Sequence, residues 1–246
     1  MVVVEHLEKS FNGTNVLNDV NLTLNDGEVL TIIGMSGVGK SVLAKSIIGL
    51  IEPDAGRILL DGADITHLTE YEYNTQVRNK MSFIFQQGAL WDSMTIEQNI
   101  ELALSIRKNL TRTERVQLIN DSLEMVGLKK EVSRLYPEEL SGGMIKRVSI
   151  ARAIAARPKY LLYDEPTTGL DPVLAHVINE LIQKLHRELR TTSLIISHDI
   201  ENLQKFSERV AMLHEGRIIT VCQAAEMWDQ DNEIFSRFIR GEVGTL

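Results

Sequence analysis

The sequence predicts an α/β fold in which a mostly parallel sheet is accompanied by an antiparallel β layer and an inserted helical subdomain. Short apolar runs at 29–33 and 159–163 are typical of strands buried on both faces of a parallel sheet. The alternation of apolar and polar residues at 20–24 indicates a strand with one solvent face. From 88 to 157 the composition becomes helical. We therefore expect a single domain with a core at 1–87 and 158–222, a helical subdomain at 88–157 and a helical tail at 223–246.

Residues 34–41 match the pattern G-x-x-x-x-G-K-[ST], a loop that cradles phosphates. The strand predicted at 29–33 precedes this loop, and the helical composition of 41–50 follows it. Glycines let successive main-chain N–H groups turn toward phosphate oxygens, and the helix N-terminus adds partial positive charge there. Lys40 would contact the β- and γ-phosphates, and the Ser41 hydroxyl would bind Mg²⁺. The core is therefore predicted to be that of a P-loop NTPase.

Turn and capping signals divide the rest of the chain into elements. Asp26 and Gly27 predict a tight turn, and 9–14 predicts a turn that carries one exposed aromatic residue, Phe11. Thr95 opens a helix with a capping box, and Asp171 is an N-cap followed by proline at the first helical position. The other expected elements are strands at 2–4, 57–60, 81–85, 193–197, 209–213 and 217–221, and helices at 112–126, from 141 to before Pro158, and at 223–240.

Composition limits the classes of function. Hydrophobic content of 43% and charged content of 24% are typical of a globular protein. The net charge of −8 argues against a general nucleic-acid-binding surface. Cys222 is the only cysteine, so we expect no intrachain disulfide and a reducing compartment. We expect no signal peptide and no membrane span, so any membrane role would go through a partner.

Two acidic residues, Asp164 and Glu165, follow the apolar strand predicted at 159–163. The carboxyl ends of parallel strands meet at one sheet edge, where the phosphate loop is also expected to emerge. Successive residues of a strand point to opposite sides, so the two acids can take different tasks. We expect Asp164 to hold Mg²⁺ through water and Glu165 to orient and polarise the attacking water.

The stretch Leu-Ser-Gly-Gly-Met at 140–144 carries the most specific resemblance. A serine and two glycines at a helix N-terminus form an anion site, although Ser141 could be only an N-cap before two permissive glycines. The stretch resembles the LSGGQ signature of the ATP-binding subunits of ABC transporters, with methionine in the last position. The resemblance implies that Ser141, Gly142 and Gly143 complete the ATP site of a second, identical copy in a head-to-tail dimer.

Other elements of that family occur in the same order along nearly the whole chain. The resemblance implies that Gln86 contacts Mg²⁺ and leads into a surface facing a membrane partner. It also implies that 168–171 form the D-loop, that His198 lies near the γ-phosphate and that Phe11 stacks on adenine. The catalytic residues it implies are Lys40, Gln86, Glu165 and His198. The implied Mg²⁺ ligands are Ser41, Gln86 and Asp164, and the implied ATP contacts within one copy are Phe11, Gly34, Met35, Ser36, Gly37, Val38, Gly39, Lys40, Ser41 and Val42.

Three stretches, at 140–144, 163–172 and 238–241, resemble the ATPases of Mla-type systems, which move phospholipids between bacterial membranes. The resemblance implies an ATPase that powers an integral membrane permease at the cytoplasmic face of the inner membrane. The permease would be contacted near Gln86 and the helical subdomain. The chain would be peripheral to the membrane through that partner and would bind no nucleic acid.

Other functions stay open on the sequence alone. Within the family, the chain could serve an importer of a small solute or a mechanical ABC complex that drives no transport. A nucleotide-dependent scaffold without turnover is an alternative from another class, against which intact Lys40, Glu165 and His198 argue. The transported substrate, the direction of transport, the identity of the permease and the role of the C-terminal tail are left open.

Overall fold

The computed structural model describes residues 1–107, 109–198 and 200–242, without the side chains of 201–203. Its strands are β1 (Val2–Phe11), β2 (Thr14–Leu24), β3 (Val29–Ile33), β4 (Ala55–Leu60), β5 (Ala63–Asp64), β6 (Met81–Ile84), β7 (Tyr160–Asp164), β8 (Thr192–Ile196), β9 (Arg209–His214) and β10 (Arg217–Gln223). Its α-helices are α1 (Lys40–Ile47), α2 (Glu70–Glu72), α3 (Ile96–Leu104), α4 (Arg112–Met125), α5 (Gly142–Ala155), α6 (Pro172–Leu189), α7 (Ile200–Phe206) and α8 (Glu233–Ile239). A π-helical turn forms at Tyr73–Val77, and 3₁₀ turns form at Lys130–Arg134, Pro137–Glu139 and Ala224–Asp229.

The first of two compact units comprises Met1–Thr69 and the chain from Thr192 onward. It contains an antiparallel sheet with the strand order β2-β1-β4-β5. It also contains strands in the order β10-β9-β3-β8, where β3 pairs in parallel with β8 and β9 while β10 pairs antiparallel with β9. Every residue of β3 and β8 is buried, as expected for parallel strands covered on both faces. The predicted antiparallel layer and parallel core strands are therefore confirmed.

The hairpin formed by β1 and β2 is longer than the sequence suggested. Its strands pair from Val2 with Leu24 to Phe11 with Thr14. The turn predicted within 9–14 is therefore confirmed only at Asn12 and Gly13, because β1 continues through Phe11 and β2 begins at Thr14. Asn12 and Gly13 both have positive φ, of 51° and 79°, which is the geometry that joins antiparallel strands most tightly.

The second unit, Glu70–Thr191, contains the parallel pair of β6 and β7 together with α3 to α6. The helices predicted within 88–157 form, with slightly shorter ends. The capping box at Thr95 and the N-caps at Ser141 and Asp171 are confirmed. Gly127 ends α4 with φ of 71°, donating to the Glu124 carbonyl at 2.9 Å. These ends are set by local hydrogen bonds, which is why the sequence predicts them well.

The C-terminal segment is helical but not continuous. The predicted helix at 223–240 is wrong in its middle, because the 3₁₀ turn Ala224–Asp229 ends before α8 begins. The Asn232 side chain restarts the helix by accepting a hydrogen bond from the Phe235 N–H at 3.1 Å. Phe235 and Ile239 bury the apolar side of α8. No helix in the described part of the chain is long and apolar enough to cross a membrane.

Candidate nucleotide site

The loop between β3 and α1 depends on glycine at two of its motif positions. Gly34 has φ of 147°, and a Cβ placed there would collide with the Leu213 carbonyl oxygen. Gly39 has φ of 104°, and its Cβ would lie 2.8 Å from the Val16 carbonyl oxygen. Both positions therefore exclude any side chain, because the neighbouring atoms belong to the main chain. The loop tip formed by Met35, Ser36 and Gly37 is exposed, and Val38, Ser41 and Val42 are half-buried.

Lys40 and the start of α1 form a positively charged site within the first unit. The Lys40 side chain is only 4% exposed, and its ammonium donates to the carbonyl oxygens of Gly34 and Met35, each at 2.8 Å. No side chain caps α1, and no acidic residue lies in its first turn. The unsatisfied N–H groups of a first helical turn attract anions. A buried cation beside an uncapped helix start fits a phosphate group.

Two further predicted residues lie in the same unit. Phe11 ends β1 and is 43% exposed, with the Lys9 ammonium 5.4 Å from its ring centroid. The same ammonium donates to Asp54 at 2.7 Å, which orients it. His198 follows β8 by two residues and is exposed. An exposed aromatic ring can serve as a stacking surface, and an exposed imidazole is accessible to a ligand.

Glu165 is the centre of a hydrogen-bonded group in the second unit. It follows the buried strand β7 directly and has φ of 48°, a left-handed conformation that costs a non-glycine residue energy. Its Oε2 accepts from the Gln86 amide at 3.3 Å and from the Thr168 hydroxyl at 2.9 Å. Asp164, the last residue of β7, is only 4% exposed. The structure thus brings together Gln86 and Glu165, two residues predicted from separate motifs.

Ser141 caps α5, and its hydroxyl accepts from the Met144 N–H at 3.3 Å. The N-cap role of Ser141 is therefore confirmed, and its role in binding the partner's ATP stays a prediction. Ser141 and Gly142 are exposed. A Cβ at Gly142 would meet nothing within 4 Å, whereas one at Gly143 would lie 3.3 Å from the Leu174 side chain. Packing within the part of the chain that the structure describes does not require glycine at position 142.

Lys146 is a buried residue of this group that the motifs do not reveal. It is 7% exposed and donates from α5 to the main-chain carbonyl of Gln86. Burial lowers the pKa of the Lys146 ammonium, and the negative charge of Glu165 opposes that shift. Helical periodicity offered one signal, because position 146 shares its face with the buried Ile150 and Ala153.

The residues predicted to bind Mg²⁺ have suitable chemistry. Ser41, Gln86 and Asp164 offer hydroxyl, carboxamide and carboxylate oxygens, the donors that Mg²⁺ prefers. No group of three His, Cys, Asp or Glu side chains that could hold a metal occurs among the described residues. The donor set fits an ion that also takes ligands from phosphate groups and water.

Residues 17–168 match the family described as ABC transporter. The chain belongs to the ABC transporter family. The ABC match begins within β2 and continues through the phosphate loop, Gln86, Ser141 and Glu165 to Thr168.

Two relatives show what kind of ABC protein the chain resembles. It is 40% identical over 228 residues to the methionine import ATP-binding protein MetN of Rhizobium johnstonii, which covers 93% of this chain and 61% of MetN. It is 35% identical over 247 residues to the sulfate/thiosulfate import ATP-binding protein CysA of Synechocystis, covering 100% of this chain and 67% of CysA. The chain thus spans less than two thirds of that MetN.

A solved structure supports the fold. A dimeric ATP-binding cassette in a post-hydrolysis state, bound to ADP and Pi, matches with a TM-score of 0.84 and 32% sequence identity. The match covers 91% of this chain and 99% of that one. The predicted α/β fold is therefore confirmed. The names of the relatives described here concern methionine and sulfate or thiosulfate, and they do not support the predicted phospholipid substrate.

Proposed function

We propose that the chain binds and hydrolyses ATP as one of two identical subunits that drive a membrane permease importing a small solute. The observation that carries this proposal is the orientation of Glu165, whose carboxylate is held by Gln86 and Thr168 at the end of a buried strand. Such a carboxylate is suited to orient a water molecule for attack on phosphorus.

Binding of ATP would use the first unit. The Lys40 ammonium would exchange its two carbonyl partners for phosphate oxygens, a stronger, charge-assisted contact. The main-chain N–H groups of the loop and of the first turn of α1 would donate to the same phosphates. Phe11 would stack on adenine, which its exposed ring permits. The loop contacts would come from Gly34, Met35, Ser36, Gly37, Val38, Gly39, Ser41 and Val42.

Hydrolysis would use residues that polarise water and stabilise the charge that develops. Glu165 would accept a proton from the attacking water, and Gln86 would keep that carboxylate in place. His198 would donate a hydrogen bond to the γ-phosphate. A bound Mg²⁺ would neutralise phosphate charge, with Ser41, Gln86 and Asp164 as its protein ligands.

A second copy would complete each ATP site. The N-terminus of α5, with Ser141, Gly142 and Gly143, would approach the ATP bound by the partner. The exposed position of Gly142 supports this role, because no neighbour among the described residues explains the missing side chain. The helical segment 88–157 would form the subdomain that presents this terminus, within a single domain whose core is 1–87 and 158–222. The cassette that the chain resembles is dimeric, which supports the pairing of two copies.

The permease would contact the surface near Gln86 and the helical segment. The chain would then lie at the cytoplasmic face of the membrane, held there by its partner. Binding of ATP would favour the closed pair of subunits, and hydrolysis would release it. The permease would sense this cycle through the main chain that follows Gln86.

The proposed cargo class rests on the relatives, whose names describe import of methionine and of sulfate or thiosulfate. Phospholipid transport is the second candidate. The observation that favours it is the resemblance of 140–144, 163–172 and 238–241 to Mla-type ATPases.

A mixed-dimer experiment tests the proposed ATP sites. Two differently tagged copies, one with Lys40→Ala and one with Ser141→Arg, are co-expressed and purified through both tags. If sites form across the interface, both lesions fall in one site, and ATPase activity should equal that of a Lys40→Ala/wild-type dimer. If each copy works alone and Ser141 only caps α5, the Ser141→Arg copy keeps its activity, so the Ser141→Arg homodimer is the discriminating control. We expect that homodimer to fold and bind ATP but not to hydrolyse it, and full ATPase activity in the folded homodimer would contradict sites formed across the interface. Absence of ATP hydrolysis by the wild-type chain with its permease would contradict the proposed activity.

A second experiment tests the cargo. The tagged protein is purified from its native membrane, and the proteins and lipids that accompany it are identified by mass spectrometry. The complex is then placed in vesicles, and its ATPase rate is measured with methionine, sulfate or added phospholipid. Stimulation by a small solute supports the importer, whereas co-purified phospholipid with stimulation by lipid alone would favour the second candidate.

A further inference from the structure

Two side chains of α5 donate hydrogen bonds to three main-chain carbonyls of residues 86–89. We call this segment the 86–89 turn. Lys146 donates to the carbonyl of Gln86. Arg152 donates to the carbonyl of Gly88 at 2.8 Å and to that of Ala89 at 2.7 Å. The two cations therefore fasten one short stretch of main chain to the helix that begins after Ser141.

The main-chain conformation of the 86–89 turn is energetically costly, so it needs stabilising hydrogen bonds. Gly88 and the non-glycine residue Ala89 both have positive φ, of 78° and 48°. Residues other than glycine adopt this region at an energetic cost, so the surrounding contacts must stabilise it. A Cβ at Gly88 would lie 3.0 Å from a methyl carbon of Ile145, so the turn lies directly against α5.

Gln86 is held at both of its ends. Its main-chain carbonyl accepts from Lys146, and its side-chain amide donates to Glu165 at 3.3 Å. Lys146 is buried, and a buried ammonium needs acceptors and a compensating charge, here the Gln86 carbonyl and the nearby Glu165. Arg152 is half-buried. Its hydrogen bonds to the two carbonyl oxygens satisfy guanidinium N–H groups that burial removes from water.

We propose that Lys146 and Arg152 are positioning residues for hydrolysis: they fasten the 86–89 turn to α5 so that the Gln86 amide stays bonded to Glu165. This inference rests on the proposed ATPase function. Neither cation is among the residues proposed to contact ATP, and both donate to main-chain carbonyls of the 86–89 turn, so their loss should change the rate of the chemical step and leave nucleotide affinity unchanged. Misplacing a catalytic group by about 1 Å can cost on the order of 100-fold in rate, so an effect of at least about 10-fold is expected.

The test uses Lys146→Met and Arg152→Met in the full chain with its permease. Methionine keeps much of the volume of each side chain and removes both charge and donor. For each variant we expect kcat to fall at least about 10-fold while KM for ATP changes less than about 2-fold. Amide hydrogen exchange in peptides that cover 86–91 should accelerate, and exchange in the loop 34–41 should stay as in wild type.

Arg147→Met is the matched control. Arg147 is the next residue of α5, carries the same charge and makes no hydrogen bond to the 86–89 turn among the bonds described. Its variant should keep wild-type kcat and wild-type exchange at 86–91. Lys146→Gln retains an N–H donor and should recover most of the exchange protection and of kcat. Thermal melting of every variant separates these effects from unfolding.

Several outcomes would overturn the proposal. One is that folded Lys146→Met and Arg152→Met variants show wild-type kcat and wild-type exchange at 86–91. Another is that kcat and ATP affinity fall together with the melting temperature, which would make the cations purely structural. If one of the two methionine variants fails to fold, the other is compared with wild type in kcat, KM and exchange at 86–91. The exchange measurement needs no ATP turnover, so an inactive wild type would contradict the proposed function while the Lys146 and Arg152 contacts are still tested.

Discussion

The side-chain amide of Gln86 donates a hydrogen bond to Oε2 of Glu165 across 3.3 Å. The two residues are 79 positions apart in the chain. They meet because each follows one of two neighbouring parallel strands, β6 and β7, whose carboxyl ends lie at one edge. The Thr168 hydroxyl holds the same oxygen at 2.9 Å, so the carboxylate is oriented by two donors. A group positioned in this way can accept a proton without first reorganising.

Glu165→Gln should bind ATP but hydrolyse it at least about 100-fold more slowly, because the group that accepts the proton from water is lost. The amide oxygen of glutamine can still accept from Gln86 and Thr168, so the variant should fold, with a melting temperature lowered by the lost charge near the buried Lys146. Size-exclusion chromatography with ATP should show a trapped dimer. Turnover close to wild type would remove Glu165 from the proposed mechanism.

Lys40→Ala should weaken ATP binding by about 10- to 160-fold, because a charge-assisted contact to phosphate contributes about 1.5–3 kcal/mol. Isothermal titration calorimetry with a non-hydrolysable ATP analogue measures the change. Lys45→Ala is the control, since Lys45 carries the same charge in the last turn of the same helix. Equal affinities of the two variants would contradict the role of Lys40.

Gly142→Ala should separate stability from function. A Cβ at this helical position meets nothing within 4 Å, and alanine is favoured over glycine in helices by about 0.5–1 kcal/mol. The variant should therefore melt at the same or a higher temperature. Its ATPase activity should nevertheless fall, because the added methyl group would lie where the partner's phosphates approach. A stable variant with full activity would show that the start of α5 serves only as a helix end.

Tyr163→Phe should leave stability unchanged or increase it. The Tyr163 ring is fully buried in β7, and its hydroxyl has no hydrogen-bond partner in the part of the chain that the structure describes. Burial also raises the pKa of this hydroxyl far above its usual value. An unsatisfied buried hydroxyl costs about 1–3 kcal/mol, which phenylalanine avoids. Urea unfolding measures the difference, and a clear loss of stability would reveal a buried partner for the hydroxyl.

Local signals in the sequence predicted local structure well. Ser141 and Asp171 are N-caps as expected, because a capping side chain bonds to N–H groups two or three residues away. The turn after Phe11 was predicted too long, because the register that pairs Phe11 with Thr14 is set along the whole hairpin. Lys146 was missed altogether, because its acceptor on Gln86 lies 60 positions away.

By itself the sequence determined the α/β fold, the phosphate loop, the strand that ends at Asp164 and the family, because these depend on periodicity and on motifs of contiguous residues. Only the tertiary structure decided that Gly34 and Gly39 are required by close main-chain neighbours, while no residue in the described ranges crowds Gly142. It also decided that Gln86 bonds to Glu165 and that α5 fastens the 86–89 turn. The physical reason is that these contacts join residues distant in sequence, whose approach depends on strand pairing and helix packing.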